Sequence, residues 1–126
     1  MGRIALLAST LLAAALPSHA AETQSDIAAV LITVPGEGAA HHALVKRQGD
    51  ESLNDLFDRA FKECGDARCR VFSTWQRGDC VSLVQGKKFI YWAWGAALDE
   101  PQKRAMTMCN GAAETCTPLT SECYPK

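Results

Sequence analysis

Six cysteines constrain this chain more than any other feature. Cys64, Cys69, Cys80, Cys109, Cys116 and Cys123 all lie in the second half of its 126 residues. An even cysteine count in a small exported domain reads as a disulfide framework. Counting alone leaves fifteen complete pairings open. Zinc is the competing use, but it asks for paired Cys-x2-Cys or Cys/His knuckles. Here 4, 10, 28, 6 and 6 residues intervene between successive cysteines, and the remaining histidines lie far upstream. No metal and no cofactor are expected.

Export is read from the start of the chain. Met1-Gly2-Arg3 is a short positive opening, Ile4 to Leu16 is an apolar run, and Pro17 ends it before Ser18-His19-Ala20. This is the layout of a secretory signal peptide cut after Ala20. The apolar run is too short for a helix crossing ~30 Å of hydrocarbon. No cysteine follows the cut at Ala21, so lipid anchoring is not expected, and no later stretch is apolar enough to span a membrane. Residues 21–126 then form one periplasmic or secreted domain. Without Arg3 the 13 basic residues become 12 against 14 acidic, a formal charge of −2. Such a balance argues against nucleic acid or an anionic membrane as partner.

Hydrophobic periodicity places the elements. Asp26 to Val34 reads as a buried strand, with a short helix as rival, and Pro35-Gly36-Glu37-Gly38 as a turn. His41 to Lys46 reads as a second strand, antiparallel to the first. Leu53, Leu56, Phe57, Ala60, Phe61 and Cys64 follow a 3.6-residue period, so Ser52 to Cys64 reads as an amphipathic helix. Ser52 is its candidate cap, Asp55 completes a short capping box, and Gly65 stops the helix. Strands are expected at Cys69–Trp75, Cys80–Val84 and Lys88–Gly95, joined by two short turns as an antiparallel meander. Asp99 to Asn110 reads as a second helix, capped by Asp99 with Gln102 completing a capping box. Cys116 to Cys123 reads as a last strand, placed at an edge by Pro118.

The order is therefore strand-strand-helix-strand, twice. Arg59-Ala60 and Cys64 in the first half match Arg104-Ala105 and Cys109 in the second. The expected fold class is α+β: one antiparallel sheet of about six strands, two helices on one face, built as two pseudo-repeats. In that layout Cys64–Cys69 and Cys109–Cys116 would each pin a helix end to the strand it feeds, and Cys80–Cys123 would staple the two halves. A Cys64–Cys80 or Cys69–Cys116 bridge would contradict the layout. Redox use is disfavoured, because the helix cysteines sit at C-termini, where the dipole does not lower a thiol pKa.

The ordered set Ala60-x3-Cys64-Gly65, Cys69-Arg70-Val71, Cys80, Trp92-Ala93-Trp94-Gly95, Ala105-x3-Cys109 and Cys116 resembles the domain of unknown function 4189 family, small exported bacterial proteins. The resemblance covers roughly His41 to Cys123. Ala39-Ala40-His41-His42-Ala43 stands where that family has a Gly- and Tyr-rich hairpin, and Pro118 and Thr120 interrupt the last strand. No general activity attaches to the family. Some exported proteins of this sort lie beside secreted interbacterial toxins, so the resemblance implies an immunity partner as one role.

The aromatic strand supplies the candidate binding face. Trp92 and Trp94 share one side with Ile90, while Phe89, Tyr91 and Ala93 share the other. One set packs under the helices. The other is an exposed face, or is covered by the N-terminal segment. Trp75, Arg77, Tyr91, Trp92 and Trp94 form the candidate surface, suited to a protein interface or to sugar stacking. Arg77-Gly78-Asp79 spells an integrin-type tripeptide, which a tight turn explains equally well. His41 and His42 alternate across a strand, and no serine or carboxylate spacing marks a nucleophile–base site. Lys87-Lys88 and Lys103-Arg104 read as solvated surface. No catalytic residue is assigned. The leading expectation is a non-catalytic protein-binding domain, in its sharper form an inhibitor of a secreted protein toxin, or a binder of another envelope protein. The alternatives are a small cell-wall carbohydrate-active enzyme, with Asp79 and Asp99 beside the tryptophans, or a glycan-binding envelope protein.

Overall fold

The computed structural model describes residues 26–126, so the signal-peptide reading lies outside the described residues. The elements run β1 (Ile27–Thr33), β2 (His42–Lys46), α1 (Leu53–Cys64), β3 (Arg70–Gln76), β4 (Cys80–Gln85), β5 (Ile90–Gly95), α2 (Asp99–Gly111) and β6 (Thr117–Cys123). The expected order and element types hold throughout, with ends shifted by one or two residues. The protein is an α+β fold stapled by three disulfides.

The helices differ in how they are closed. Ser52 caps α1 by accepting a hydrogen bond from the Asp55 N–H at 3.1 Å, and Gly65 ends it in the left-handed region with φ 70°. Glycine adopts that conformation at little steric cost. α2 departs from expectation. Leu98, already in a helical conformation, is its N-cap and makes no side-chain cap bond. Its carbonyl accepts from Gln102 N–H, so the helical ladder begins one residue before Asp99. Asp99 and Glu100 instead lie in the first turn, where carboxylates meet the positive helix end.

The strands correct the expectation of a single sheet and of a β3–β4–β5 meander. They form two three-stranded antiparallel sheets, ordered β2-β1-β3 and β5-β4-β6. The reason lies in the two central strands. Ala29, Val30, Leu31 and Ile32 of β1 are buried in succession, as are Val81, Ser82, Leu83 and Val84 of β4. A strand buried on both faces needs cover on both, which one helix-backed sheet with an open face does not give it. Here each strand lies between its own helix and the opposite sheet. Val30, Ile32, Val34, Ala43 and Val45 pack under Leu56, Ala60 and Cys64 of α1. Val84 and Ala93 pack under Ala105 and Cys109 of α2. Between the sheets, Ala29, Leu31 and Trp75 meet Val81, Leu83, Ile90 and Tyr124. The helices thus lie on opposite outer faces, not on one. Each fully buried Leu or Ile contributes about 1.5–3 kcal/mol.

The pseudo-repeat holds in detail. The buried positions of α1 are Leu56, Ala60 and Cys64, and those of α2 are Pro101, Ala105 and Cys109. The bridges Cys64–Cys69 and Cys109–Cys116 tie each helix end to the residue that opens the next strand. The third bridge, Cys80–Cys123, has the expected partners but another role. Cys80 and Cys123 face each other across β4 and β6, with Cα atoms 3.8 Å apart. It closes the second half's own sheet and does not join the halves. β3 and β6 each carry an irregularity at the third residue after their opening cysteine. The register shifts at Phe72 against Leu31/Ile32 and at Leu119 against Leu83/Val84. Pro118 sits beside the latter, on an edge strand as expected.

Candidate functional site

β5 is an edge strand with both faces in use. Ile90 and Trp92 point toward the other sheet, and Tyr91 and Ala93 point toward α2. Trp92 meets Trp75 edge-on at 5.4 Å between ring centroids and Phe72 at 6.5 Å. These contacts stack β5 on β3, so among the described residues both strands leave an unpaired edge on the same side of the molecule. Trp94 lies beyond the end of the packed region and is 52% exposed.

The same side carries further apolar surface. Val71, Phe72 and Phe89 are exposed. Phe72 is the extra residue where β3 slips register, and a bulge of this kind re-aims the side chain it carries. Val71, Phe72, Phe89 and Ile90 line a groove of about 370 Å³ with Arg70 at its margin. A second cleft, of about 420 Å³, lies between β5 and α2 and is lined by Trp92, Trp94, Lys103, Arg104, Thr107 and Met108. Several large apolar side chains on one side form the sort of patch that marks an interaction surface.

α2 sets the electrostatics of this cleft. Its buried stripe faces β4 and β5, which turns Lys103, Arg104 and Thr107 outward. Arg104 Nη2 donates to the Trp94 carbonyl. Neither Lys103 nor Arg104 has a carboxylate partner among the described residues. Gly95 ends β5 where a Cβ would come 3.3 Å from Pro101 Cγ, so a glycine there lets α2 approach closely.

Tyr91 belongs to a lock at the other end of β5. The Glu114 carboxylate accepts from the Tyr91 hydroxyl, from Lys87 N–H at 2.8 Å and from Lys88 N–H at 3.0 Å. The bond to Glu114 raises the Tyr91 pKa above the usual phenol value, and the same bond, with the backbone donors, lowers that of Glu114. A Cβ on Gly86 would lie 2.7 Å from Glu114 Oε2 and 2.9 Å from Tyr91 Cε2. A carboxylate from the Cys109–Cys116 loop therefore fixes the β4–β5 turn.

The five residues of the expected binding face do not lie together. Trp92 and Trp94 line the β5–α2 cleft, and Tyr91 is held by Glu114. Trp75 is 2% exposed and belongs to the core between the sheets, because β3 stacks on β5 and does not extend the β5 sheet. Arg77 lies in the β3–β4 connection and lines a separate pocket with Lys46, Arg47 and Lys126. Neither Asp79 nor Asp99 lines the tryptophan cleft. The Asp79 carboxylate instead accepts from Gln76 N–H at 2.8 Å within its turn. His42 Nδ1 lies 2.8 Å from the Gly38 carbonyl oxygen. Among the described residues, no group of three or more His, Cys, Asp or Glu side chains could hold a metal, and no helix is long and apolar enough to cross a membrane. Phe72, Phe89, Lys103, Arg104 and Glu114 were not marked as site residues by the sequence. Phe72 needs the register shift, and the charged pair needs the orientation of α2, before either points to this side.

Comparison with known proteins gives a domain family of unknown function, DUF4189, matching residues 40–123. No curated protein and no solved structure matches the chain.

Proposed function

The chain belongs to the domain of unknown function 4189 family, and we propose that it is a non-catalytic protein-binding domain acting in the bacterial periplasm or cell exterior. Three disulfides, with no free cysteine among the described residues, fit an oxidising compartment outside the cytoplasm. The signal peptide read at residues 1–20 supplies the route. The observation that carries the reading is the β3/β5 side, where Phe72, Phe89 and Trp94 stand exposed and where Lys103 and Arg104, lining the Trp94 cleft, have no carboxylate partner among the described residues. Exposed aromatics with arginine are the residue types that dominate binding at protein interfaces.

In its sharper form the domain is an immunity protein. It docks this side against a secreted interbacterial toxin and neutralises it where the toxin acts, outside the cytoplasm. A rigid scaffold favours such tight inhibition, because little ordering entropy is lost on binding. The second reading is glycan binding or cleavage in the wall. Trp94 offers a stacking platform for it, but the cleft lining presents cations and lacks the paired carboxylates that glycoside hydrolysis uses.

Affinity capture with the oxidised chain, from the producer's secreted and envelope proteins, tests the reading. Recovery of one secreted protein, with loss on Trp94→Ala and with relief of that protein's toxicity by the wild-type chain, is the expected result. Retention of wall fragments alone, or release of wall glycan by the chain, overturns it.

A further inference from the structure

The open edge of β5 is narrower than its length suggests. Gly86 N–H donates to the Phe89 carbonyl at 2.9 Å, closing a two-residue turn at Lys87-Lys88. In an antiparallel pair, hydrogen-bonded and non-hydrogen-bonded positions alternate from there. Tyr91, Ala93 and Gly95 therefore bond toward β4, and the backbone groups of Ile90, Trp92 and Trp94 turn outward. Two of these three are covered. The Gly38 backbone packs over Ile90, with the neighbouring Ala39 N–H bonded to the Lys88 carbonyl at 2.9 Å. The Arg104 guanidinium covers the Trp94 carbonyl. Between the two covers, the N–H and C=O of Trp92 face the open edge.

Unlike side chains flank that opening. On the face toward the other sheet stand Phe72 and the Trp92 ring, in edge contact at 6.5 Å. On the face toward α2 stand Lys103, Arg104 and Thr107. A strand added at this edge would alternate its side chains between the two faces. Residues turned toward Phe72 would meet aromatic surface. Residues turned toward α2 would meet two cations that have no carboxylate partner among the described residues.

We propose that β5 receives an extended segment of the partner protein by strand addition at Trp92, and that this segment alternates acidic with apolar residues. Main-chain bonds to Trp92 supply register, and the alternating side chains supply specificity. Charge complementarity selects the acidic residues, because a basic segment would set like charges against Lys103 and Arg104. The inference rests on the protein-binding reading and names the chemistry of the partner's contact.

The test is NMR titration of the oxidised chain with two synthetic peptides, one of repeating Glu-Val and one of repeating Lys-Val. The expected result is that only the acidic peptide shifts the Trp92 amide and the Trp94 indole and slows exchange of the Trp92 N–H. Lys103→Glu with Arg104→Glu should weaken it by about tenfold or more and let the basic peptide bind. Retained disulfides and an unshifted Glu114–Tyr91 lock report that the variant is folded. Equal binding of both peptides, binding elsewhere, no binding of either, or a concentration-dependent dimer occupying the same edge overturns strand addition. Partner capture separates the two levels. Capture that depends on Trp94 but ignores the charge reversal leaves the protein-binding reading standing without the acidic strand. Capture indifferent to Trp94 removes the protein-binding reading itself.

Discussion

The two long sides of this molecule occupy equivalent places and are finished in opposite ways. In the first half, Ala29 of β1 lies between Lys46 of β2 and Trp75 of β3. In the second half, Val81 of β4 lies between Trp94 of β5 and Glu122 of β6. Stacking the sheets sets Lys46 against Glu122, with Nζ and Oε2 3.2 Å apart. On the other side it sets Trp75 against Trp92, with Trp94 beyond them in solvent. The β2/β6 side is closed with charge. Besides the Lys46–Glu122 pair, Arg59 holds Glu51 through two bonds and the Lys46 carbonyl through a third, at 2.7 Å. Charged edge residues keep a sheet from pairing with other chains. The β3/β5 side carries exposed aromatics, with the Arg104 guanidinium covering only part of the β5 edge. One repeated unit thus yields one side closed with charge and one left with exposed aromatics, the side proposed to bind.

Mutations should separate the two sides, the largest effects coming from the core that both share. Trp75→Ala empties the space beneath the β3/β5 side and should cost about 3–5 kcal/mol in denaturant unfolding. Trp75→Phe should cost far less, because the Trp75 indole nitrogen has no hydrogen-bond partner to lose among the described residues. Next comes the staple of the β2/β6 side. Replacing Cys80 and Cys123 together by serine should cost about 4 kcal/mol in the chain-entropy picture, against about 2 for Cys64 and Cys69. Calorimetry of the two double variants checks that order.

Smaller effects distinguish charge from aromatics. Arg59 and the Gln48 N–H hold the Glu51 carboxyl down from 4.5 to about 2. Its folded pKa is depressed, so its contribution is full above the unfolded value near 4.5 and fades as pH falls toward 2. The melting-temperature advantage of the wild type over Glu51→Gln should therefore shrink with acid across that range and stay flat above it. Lys46→Ala should cost under about 1 kcal/mol, as exposed ion pairs do. Trp94→Ala should cost far less than Trp75→Ala, about 1 kcal/mol, because about half of the residue is exposed. A large stability loss from Trp94→Ala would make it core and remove it from the proposed docking side.

Element types and cysteine partners were legible because local signals carry them. The period of Leu53 to Cys64 sets α1, and a cysteine at each helix end followed by another before the next strand implies the short bridges. Sheet membership was not legible. Pairing of β1 with β3 across α1, and of β4 with β6 across α2, is non-local, and the short β3–β4 turn at Arg77-Gly78-Asp79 looks like a hairpin in one dimension. Gly78, at φ 92°, carries the chain between sheets there. The successive burial of Ala29 to Ile32 was the available clue, since a strand apolar on both faces needs two covers. For the site, alternation placed Trp92 with Trp94 but could not tell that Trp92 would be half-buried against Trp75 while Trp94 projected past the packed region. Lys103 and Arg104 read as ordinary helix surface because nothing local shows that the adjacent strand β5 ends its sheet with an open outer edge.

The most direct measurement is quantitative capture of the producer's exported proteins by three oxidised chains: wild type, Trp94→Ala on the β3/β5 side and Lys46→Ala on the β2/β6 side. The account predicts one protein retained equally by the wild type and Lys46→Ala, and reduced about tenfold or more with Trp94→Ala, the loss expected of an interface hot spot. Equal retention by all three, or loss with Lys46→Ala alone, would contradict it.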